Sequence, residues 1–331
     1  MSGSGPEAEN EENVVMSTGE CEVTILPRFG GKIASIRFKG HELLQQPLRP
    51  IAPRTPTMGF DESDASGWDE CLPSVAACSV SFAEGQVEIP DHGDLWRVAW
   101  EKSRDKRQGT RDKENSLTLV GRCFSLPLEL ERTVELKKLF RGTRIQASYK
   151  LTNTGSAYAR WMWAAHPLFA VEAGDRIVLS DAFRSLHLGS SAGGRLAAKR
   201  SIVGWPIAEL SSGGETDLSL VLAPDSGVGD KLFTRGIRSR RRWDGWCELR
   251  RPSAGVEIRV SFFDPVPVNY LGLWLCYGGW PEREGPKQMC VAVEPTTAPR
   301  DSLAAEAWQW RRSLQPGASH AWNMHVDISP L

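Results

Sequence analysis

The feature that most constrains the fold of this chain is a long series of short segments that alternate with a period of two and are separated by turn-forming residues. In residues 23–38 (VTILPRFGGKIASIRF), two such segments flank Gly30 and Gly31, the pattern of a β-hairpin. Further runs rich in β-branched and aromatic residues are 117–123, 128–136, 144–152, 159–165, 218–222, 247–250, 256–263, 271–277, 290–293 and 320–328. So many short strands predict an all-β fold, a large antiparallel sandwich or barrel.

Helical patterns are few. The best is residues 301–310 (DSLAAEAWQW), where Asp301 is suited to cap a first turn. The 21 prolines and 31 glycines fit a chain of strands and loops. Because no Pro/Ser-rich linker divides the sequence, we predict a single domain over residues 15–331, preceded by a disordered acidic tail at residues 1–14.

Charge and composition exclude several classes of function. The 331 residues carry 40 Lys and Arg against 41 Asp and Glu, a net charge of −1, which gives no general attraction to nucleic acid or to an anionic membrane. The longest apolar run, residues 271–277, is far shorter than a membrane span. Seven scattered cysteines without a CxxC pair indicate reduced thiols, so we expect a cytoplasmic protein. We also expect it to be a monomer or a weak dimer.

Motifs that bind nucleotides or metals are missing. The sequence has no GxxxxGK[ST], and its six histidines form no HxH or HExxH spacing, so neither a cofactor nor a metal is predicted.

Two single ionisable residues lie in apolar runs, where burial can tune a pKa. His166 stands in RWMWAAHPLF, just before a proline that ends or bends the strand, and Glu294 stands in CVAVEPTTAP. A hydrogen-bonded core histidine and a structural ion pair are the ordinary explanations of such residues. Neither residue is decisive alone.

Three other segments leave alternatives open. His92 lies in a Pro-Asp-His-Gly turn between two predicted strands, with Trp96 close behind, and a turn histidine is ordinarily just exposed. The acidic loop at residues 58–73 surrounds Trp68; such loops are usually solvated, although paired carboxylates beside a tryptophan also occur in glycosidase clefts. The basic run at residues 235–242 fits an exposed edge strand or, less simply, a phosphate site.

Taken in order, these segments resemble the galactose mutarotase (aldose 1-epimerase) family. His92-Gly93 matches the family's first histidine, and the sequence from His166 to Phe169 (HPLF) is similar to its second histidine motif. Trp243-Asp244-Gly245 looks like its aspartate segment. Val293-Glu294-Pro295 resembles the segment that carries the catalytic glutamate. Asp94, Gly245 and Thr296 stand where the family usually has other residues, which places the chain in a divergent branch.

The resemblance implies a β-supersandwich with a sugar cleft on an open sheet face. It further implies that Glu294 takes a proton from the anomeric hydroxyl while His166, as imidazolium, protonates the ring oxygen, so that the ring opens and closes again as the other anomer. His92 and Asp244 would bind sugar hydroxyls, and Trp96 or Trp68 would offer a ring face to the sugar. The partner would be a monosaccharide or a sugar derivative.

Two other functions remain open from the sequence. The same scaffold could serve a carbohydrate-binding protein with weak or absent catalysis, because the departures lie beside His92 and Asp244. A glycoside-cleaving enzyme could use carboxylates of residues 61–70 together with Glu294.

Overall fold

Antiparallel strands make up most of the molecule. The computed structural model describes residues 13–83, 85–103, 115–181, 183–199, 201–236, 245–262, 268–305 and 312–331. About 55% of the chain is strand and 5% is helix, and no helix in the described ranges reaches seven residues. The short 3-10 turns are Phe60–Glu62, Leu95–Arg97, Ala192–Gly194, Pro224–Ser226 and Pro252–Ala254.

The larger sheet has eleven strands within the described residues. In spatial order they are β1 (Val14–Thr18), β2 (Cys21–Leu26), β3 (Lys32–Phe38), β5 (Trp68–Cys71), β13 (Ala164–Ala170), β23 (Met289–Thr296), β22 (Tyr270–Tyr277), β19 (Val228–Thr234), β15 (Ser185–Ser191) and β16 (Ile202–Gly204), with β4 (His41–Glu42) paired to β3.

The second sheet has eight strands in the same ranges. They are, in order, β14 (Arg176–Leu179), β20 (Gly245–Arg251), β21 (Val256–Phe262), β25 (Ser319–Pro330), β11 (Gly142–Asn153), β10 (Leu128–Leu139), β9 (Ser116–Arg122) and β8 (Glu101–Lys102). Three two-stranded ribbons complete the described strands: β6 (Cys78–Phe82) with β7 (Gly85–Ile89), β12 (Ala159–Trp161) with β24 (Arg312–Leu314), and β17 (Ile207–Glu209) with β18 (Glu215–Asp217).

The hairpin of β10 and β11 illustrates how the sequence forms these sheets. In β10 (LELERTVELKKL) buried and half-buried positions alternate almost throughout, as a period of two requires. The strands meet at Gly142, whose φ of 123° lies outside the range of other residues and whose Cα approaches the backbone carbonyl of Ile328 too closely for a side chain.

One hydrophobic core runs between the sheets and includes side chains from Met16 to Ile328. Aromatic rings fill its centre, where the rings of Trp163 and Trp322 lie 5.0 Å apart. The side chain of Glu70, on β5 of the larger sheet, reaches the second sheet. Its carboxylate accepts hydrogen bonds there from Arg132 of β10 at 3.0 Å and from Tyr149 of β11 at 2.9 Å. Trp163 Nε1 donates to the same carboxylate at 2.8 Å. A buried ion pair whose carboxylate accepts three hydrogen bonds therefore joins the two sheets.

Four sequence expectations need correction. Residues 218–222 are not a strand, because the carboxylate of Asp217 accepts bonds from the Ser219 amide and hydroxyl at 2.9 and 2.6 Å and holds a turn instead. The strand expected after His92 is the 3-10 turn Leu95–Arg97. The first strand begins at Val14, within the predicted tail. Of the helix expected at residues 301–310, residues 306–310 lie outside the described ranges and the remainder forms bends and turns.

The ion pair of Glu70 and Arg132 makes a stability prediction. Arg132→Met leaves a buried carboxylate without its counter-charge, so we expect the free energy of unfolding in urea to fall by about 3–5 kcal/mol. Arg122→Met is the matched control on the neighbouring strand β9, where Arg122 pairs with Glu101 and Glu129 at 2.9 Å but its side chain is 58% exposed. Its loss should be within about 1 kcal/mol. Equal losses in the two variants would contradict this account of the core.

Candidate active site

Two neighbouring strands of the larger sheet bring His166 and Glu294 together. Ala164 pairs with Thr296 and Leu168 pairs with Ala292 across β13 and β23, so His166 lies opposite Glu294. Both side chains are on the face turned away from the second sheet. His166 Nε2 lies 3.7 Å from Glu294 Oε1, and the two residues are 5% and 1% exposed.

Lys231 of β19 completes this group. Its Nζ donates a hydrogen bond to Glu294 Oε2 and lies 3.5 Å from Asp301 Oδ1. Strand β22 separates β19 from β23, and its residue opposite Glu294 is Gly272. A Cβ there would lie 2.9 Å from Glu294 Oε2, so glycine leaves room for the carboxylate to meet Lys231 above β22.

The charges of the group are set by burial and by one another. Burial, reinforced by His92, Lys231 and Lys32, holds the pKa of His166 well below its ordinary value. His166 is therefore neutral in the free site, whereas the sequence led us to expect an imidazolium. Burial raises the pKa of Glu294 although Lys231 opposes the shift. Burial alone would lower the pKa of Lys231, but Asp301 and Glu294 raise it, so Lys231 is a cation.

Unpaired polar atoms mark the same group. Glu294 Oε1, His166 Nδ1 and Asp301 Oδ1 are buried and make no hydrogen bond among the described residues. Leaving such an atom unpaired costs about 1–3 kcal/mol, so these atoms are available to a bound ligand or to water.

A cavity of about 320 Å³ lies beside this group. His166, Lys231, Asp301, His92 and Phe60 are among its lining residues, and the buried Glu294 contacts two of them, His166 and Lys231. The His92 ring stacks on Phe60 with centroids 3.8 Å apart, and it lies 5.1 Å from the His166 ring. The structure thus brings His92, His166 and Glu294 to one place.

Arg97 fixes the two loops that carry these rings. This buried side chain donates to the Met58 carbonyl at 2.9 Å and to the Asp91 carbonyl at 2.7 Å. His92 has a φ of 59° and its Nδ1 lies 2.8 Å from the Asp91 carboxylate, so the turn holds its ring over the cavity.

The tryptophans predicted to contact a sugar lie elsewhere. Trp68 and Trp96 are fully buried: Trp68 packs in the main core, and Trp96 packs behind Phe60 with ring centroids 5.4 Å apart. Trp274 and Trp280 line the cavity instead, and both are partly exposed.

The acidic loop is mostly committed to buried ion pairs. Asp64 and Asp69 lie 3.2 and 2.6 Å from Lys32 Nζ, and Glu70 binds Arg132. Of the carboxylates considered for glycoside cleavage within residues 61–70, Asp61 lines the cavity. The others support the loop rather than face a substrate.

Asp244, predicted to bind a sugar hydroxyl, lies outside the described residues, as do residues 237–242 of the basic run. Lys231 is a site residue that was not predicted from the sequence. Its signal was the pair of adjacent charges in the strand VGDKLFT, all seven residues of which are buried.

Among the described residues, no group of three or more His, Cys, Asp and Glu side chains could hold a metal ion. In the same residues, no helix is long and apolar enough to cross a membrane.

Solved structures with the same architecture are similar to this chain at low sequence identity. The Slr1438 protein from Synechocystis sp. PCC 6803 aligns over 100% of both chains, with a TM-score of 0.67 and 15% identity. A galactose mutarotase related enzyme from Lactobacillus acidophilus aligns over 96% of this chain and 97% of its own, with a TM-score of 0.64 and 14% identity. A galactose mutarotase-like protein from Lactobacillus casei ATCC 334 covers 96% and 100%, with a TM-score of 0.61 and 15% identity.

No family model and no curated protein matches the sequence. Identities of this size carry the fold alone. The chain has the galactose mutarotase-like fold, which confirms the all-β supersandwich predicted from its sequence.

Proposed function

We propose that this protein is an aldose 1-epimerase-type isomerase that interconverts the α and β anomers of a hexose or hexose derivative. The observation that carries the proposal is the His166–Glu294 pair, 3.7 Å apart beside a cavity of about 320 Å³. Ring opening of a hemiacetal needs one group to take the O1 proton and another to give a proton to O5, and this pair supplies both.

The pair works with one shared proton. In the reactive form Glu294 is a carboxylate and His166 is an imidazolium; the O1–H proton passes to Glu294, the C1–O5 bond breaks, and His166 Nε2–H protonates O5. Rotation about C1–C2 and the reverse transfers close the other anomer. Moving the proton from His166 to Glu294 gives a second form of the pair, in which both residues are neutral. Burial favours this neutral form in the free site, because it lowers the pKa of His166 and raises the pKa of Glu294. The titration therefore belongs to the pair rather than to either residue.

The remaining cavity side chains suit a sugar. Trp274 and Trp280 offer apolar faces to sugar C–H groups, while His92 and Gln288 offer hydrogen-bonding groups to hydroxyls. A second cavity of about 450 Å³, lined by His187 and Arg300, shares Ser190 and Asp301 with the first. This additional space supports a hexose derivative as substrate.

We infer a reducing compartment, the cytoplasm, as the place of action. All seven cysteines are free, and burial raises the pKa of Cys21 to about 12 and the pKa of Cys276 to about 12. Such thiols are inert rather than poised for disulfide exchange.

The first prediction from the proposed function concerns catalysis. Freshly dissolved α-glucose and α-galactose should reach anomeric equilibrium faster with the protein than in buffer, as followed by polarimetry or NMR. Glu294→Gln and His166→Asn should each lower the catalysed rate by about 10²–10⁴-fold, because each removes one partner of the proton transfer.

Glu215→Gln and His320→Asn are the matched controls, since these residues do not line the cavity. Both should retain the wild-type rate. Sugar binding without any acceleration, tested with a panel of hexoses and hexose phosphates, would contradict the proposed catalysis.

The second prediction concerns pH. The rate should follow a bell-shaped profile, because activity needs one proton on the pair and is lost when the pair holds two or none. In a ¹⁵N NMR titration of the free protein, the His166 resonance, assigned by its absence in His166→Asn, should remain that of neutral imidazole down to pH values well below about 6.5. A midpoint near 6.5 would contradict the burial of this ring.

The third prediction concerns sugar affinity. Trp274→Ala and Trp280→Ala should each weaken sugar binding roughly 10-fold, about 1.4 kcal/mol, through loss of an aromatic face. Trp246→Ala is the control, because this partly buried ring stacks on Arg259 in the second sheet. If a calorimetric titration gave Trp274→Ala and Trp280→Ala the same Kd for the sugar as the control Trp246→Ala, the sugar would not contact the cavity tryptophans.

A further inference from the structure

A row of three charged side chains lies at the wall of the cavity, which Lys231 and Asp301 line. Lys231 Nζ contacts Glu294 Oε2 on one side and lies 3.5 Å from Asp301 Oδ1 on the other. We propose that Asp301, Lys231 and Glu294 form a charge-sharing triad in which Lys231 is a positioning residue that holds Glu294 as a carboxylate aimed at the substrate. The catalytic meaning of this triad rests on the proposed function, but its charge coupling does not.

A structural role alone explains Lys231 poorly. Its side chain is only 9% exposed, and taking an ammonium group out of water costs several kcal/mol unless good partners replace the water. Lys32 also has two carboxylate partners, Asp64 and Asp69, but it does not line the cavity, whereas Lys231 does. The place of Lys231 on the cavity wall therefore indicates a role in the site.

The geometry divides the two oxygens of Glu294 between two tasks. Oε2 is held by Lys231, which leaves Oε1 as the oxygen that can accept a proton from a substrate. Oε1 faces His166 and makes no hydrogen bond among the described residues. Lys231 thus orients the carboxylate as well as stabilising its charge.

Asp301, the second carboxylate beside Lys231, keeps the charge of the lysine balanced during the reaction. When Glu294 takes the O1 proton onto Oε1, it loses its charge and no longer balances Lys231. Asp301 then remains beside the ammonium, so the buried lysine has a counter-charge both before and after the transfer. Lys231 itself gives up no proton in this scheme.

The charged groups around Glu294 act on it in opposite directions. Lys231 and His92 lower the pKa of Glu294, whereas burial and Asp301 raise it. His166 faces it from β13, and Cys71 of β5 is also nearby, with a pKa well above its ordinary value because of burial, so that its thiol is neutral. Removing Lys231 and removing Asp301 must therefore move the titration of Glu294 in opposite directions.

The experiment is a ¹³C NMR titration of the Glu294 carboxyl carbon, assigned by its absence in Glu294→Gln. A His166→Asn background leaves one titrating member of the pair. Lys231→Met should raise the midpoint by at least about one pH unit, a tenfold change in proton affinity, and Asp301→Asn should lower it. Lys231→Arg should restore the midpoint toward that of wild type, because it keeps the positive charge.

A control variant and the expected folding of Asp301→Asn keep the test decisive. Lys150→Met removes an exposed lysine of the second sheet and should leave the midpoint unchanged. Asp301→Asn retains the backbone carbonyl that accepts bonds from Val75 and Ala76 at 2.9 and 2.7 Å, so this variant should fold even if Lys231→Met does not. In Asp301→Asn, an unchanged or raised midpoint overturns the triad.

The titration separates this inference from the proposed function. If the wild-type protein fails to accelerate anomer exchange but the two midpoints shift in opposite directions, the triad stands and the proposed catalysis fails. If anomer exchange is accelerated and the midpoints do not respond, the triad fails alone. In an active protein, Lys231→Met should also shift the acidic limb of the pH–rate profile upward, which a merely structural lysine would not do.

Discussion

Ala164 pairs with Thr296 and Leu168 pairs with Ala292, and this register of β13 against β23 carries His166 to the position opposite Glu294. The two residues are far apart in sequence, so only the sheet brings them together. A slip of one residue would turn one of the side chains into the core, because side chains alternate between the faces of a strand. The core in turn holds this sheet in place through Glu70, which bonds to Arg132 and Tyr149 of the second sheet.

The sheet also determines the electrostatics of the site. His166 and Glu294 lie on strands whose neighbours exclude water, so burial disfavours the charged form of each. Lys231 reaches Glu294 across β22 because Gly272 has no side chain. Burial and Lys231 therefore act in opposite directions on Glu294, and in the proposed mechanism the His166–Glu294 pair keeps one transferable proton in a dry pocket.

The sequence predicts the fold well because its signal is local. Alternation along β10 and the turns around Gly30 and Gly142 can be read directly, and tertiary contacts reinforce them. Residues 218–222 show the limit: their composition suits a strand, but bonds from Ser219 to the Asp217 carboxylate hold a turn. Such competition between side chain and backbone depends on geometry that composition does not contain.

The site is only partly readable from the sequence. His166 and Glu294 are recognisable because they stand in apolar runs before prolines. Which tryptophans reach the cavity could not be predicted, since Trp68 and Trp274 both lie in strands and only the face of the sheet distinguishes them. Lys231 was detectable as a charge within a buried strand, but its partner could not be named without knowing that β22 separates it from Glu294.

The proposed function requires a sugar ring to bind with its anomeric centre between His166 and Glu294. A crystal structure of Glu294→Gln with a bound hexose tests this most directly. We predict O1 within hydrogen-bonding distance of the residue 294 amide, O5 facing His166 Nε2, and a sugar face against Trp274 or Trp280. A sugar bound elsewhere, or with its anomeric carbon turned away from both residues, would contradict the account.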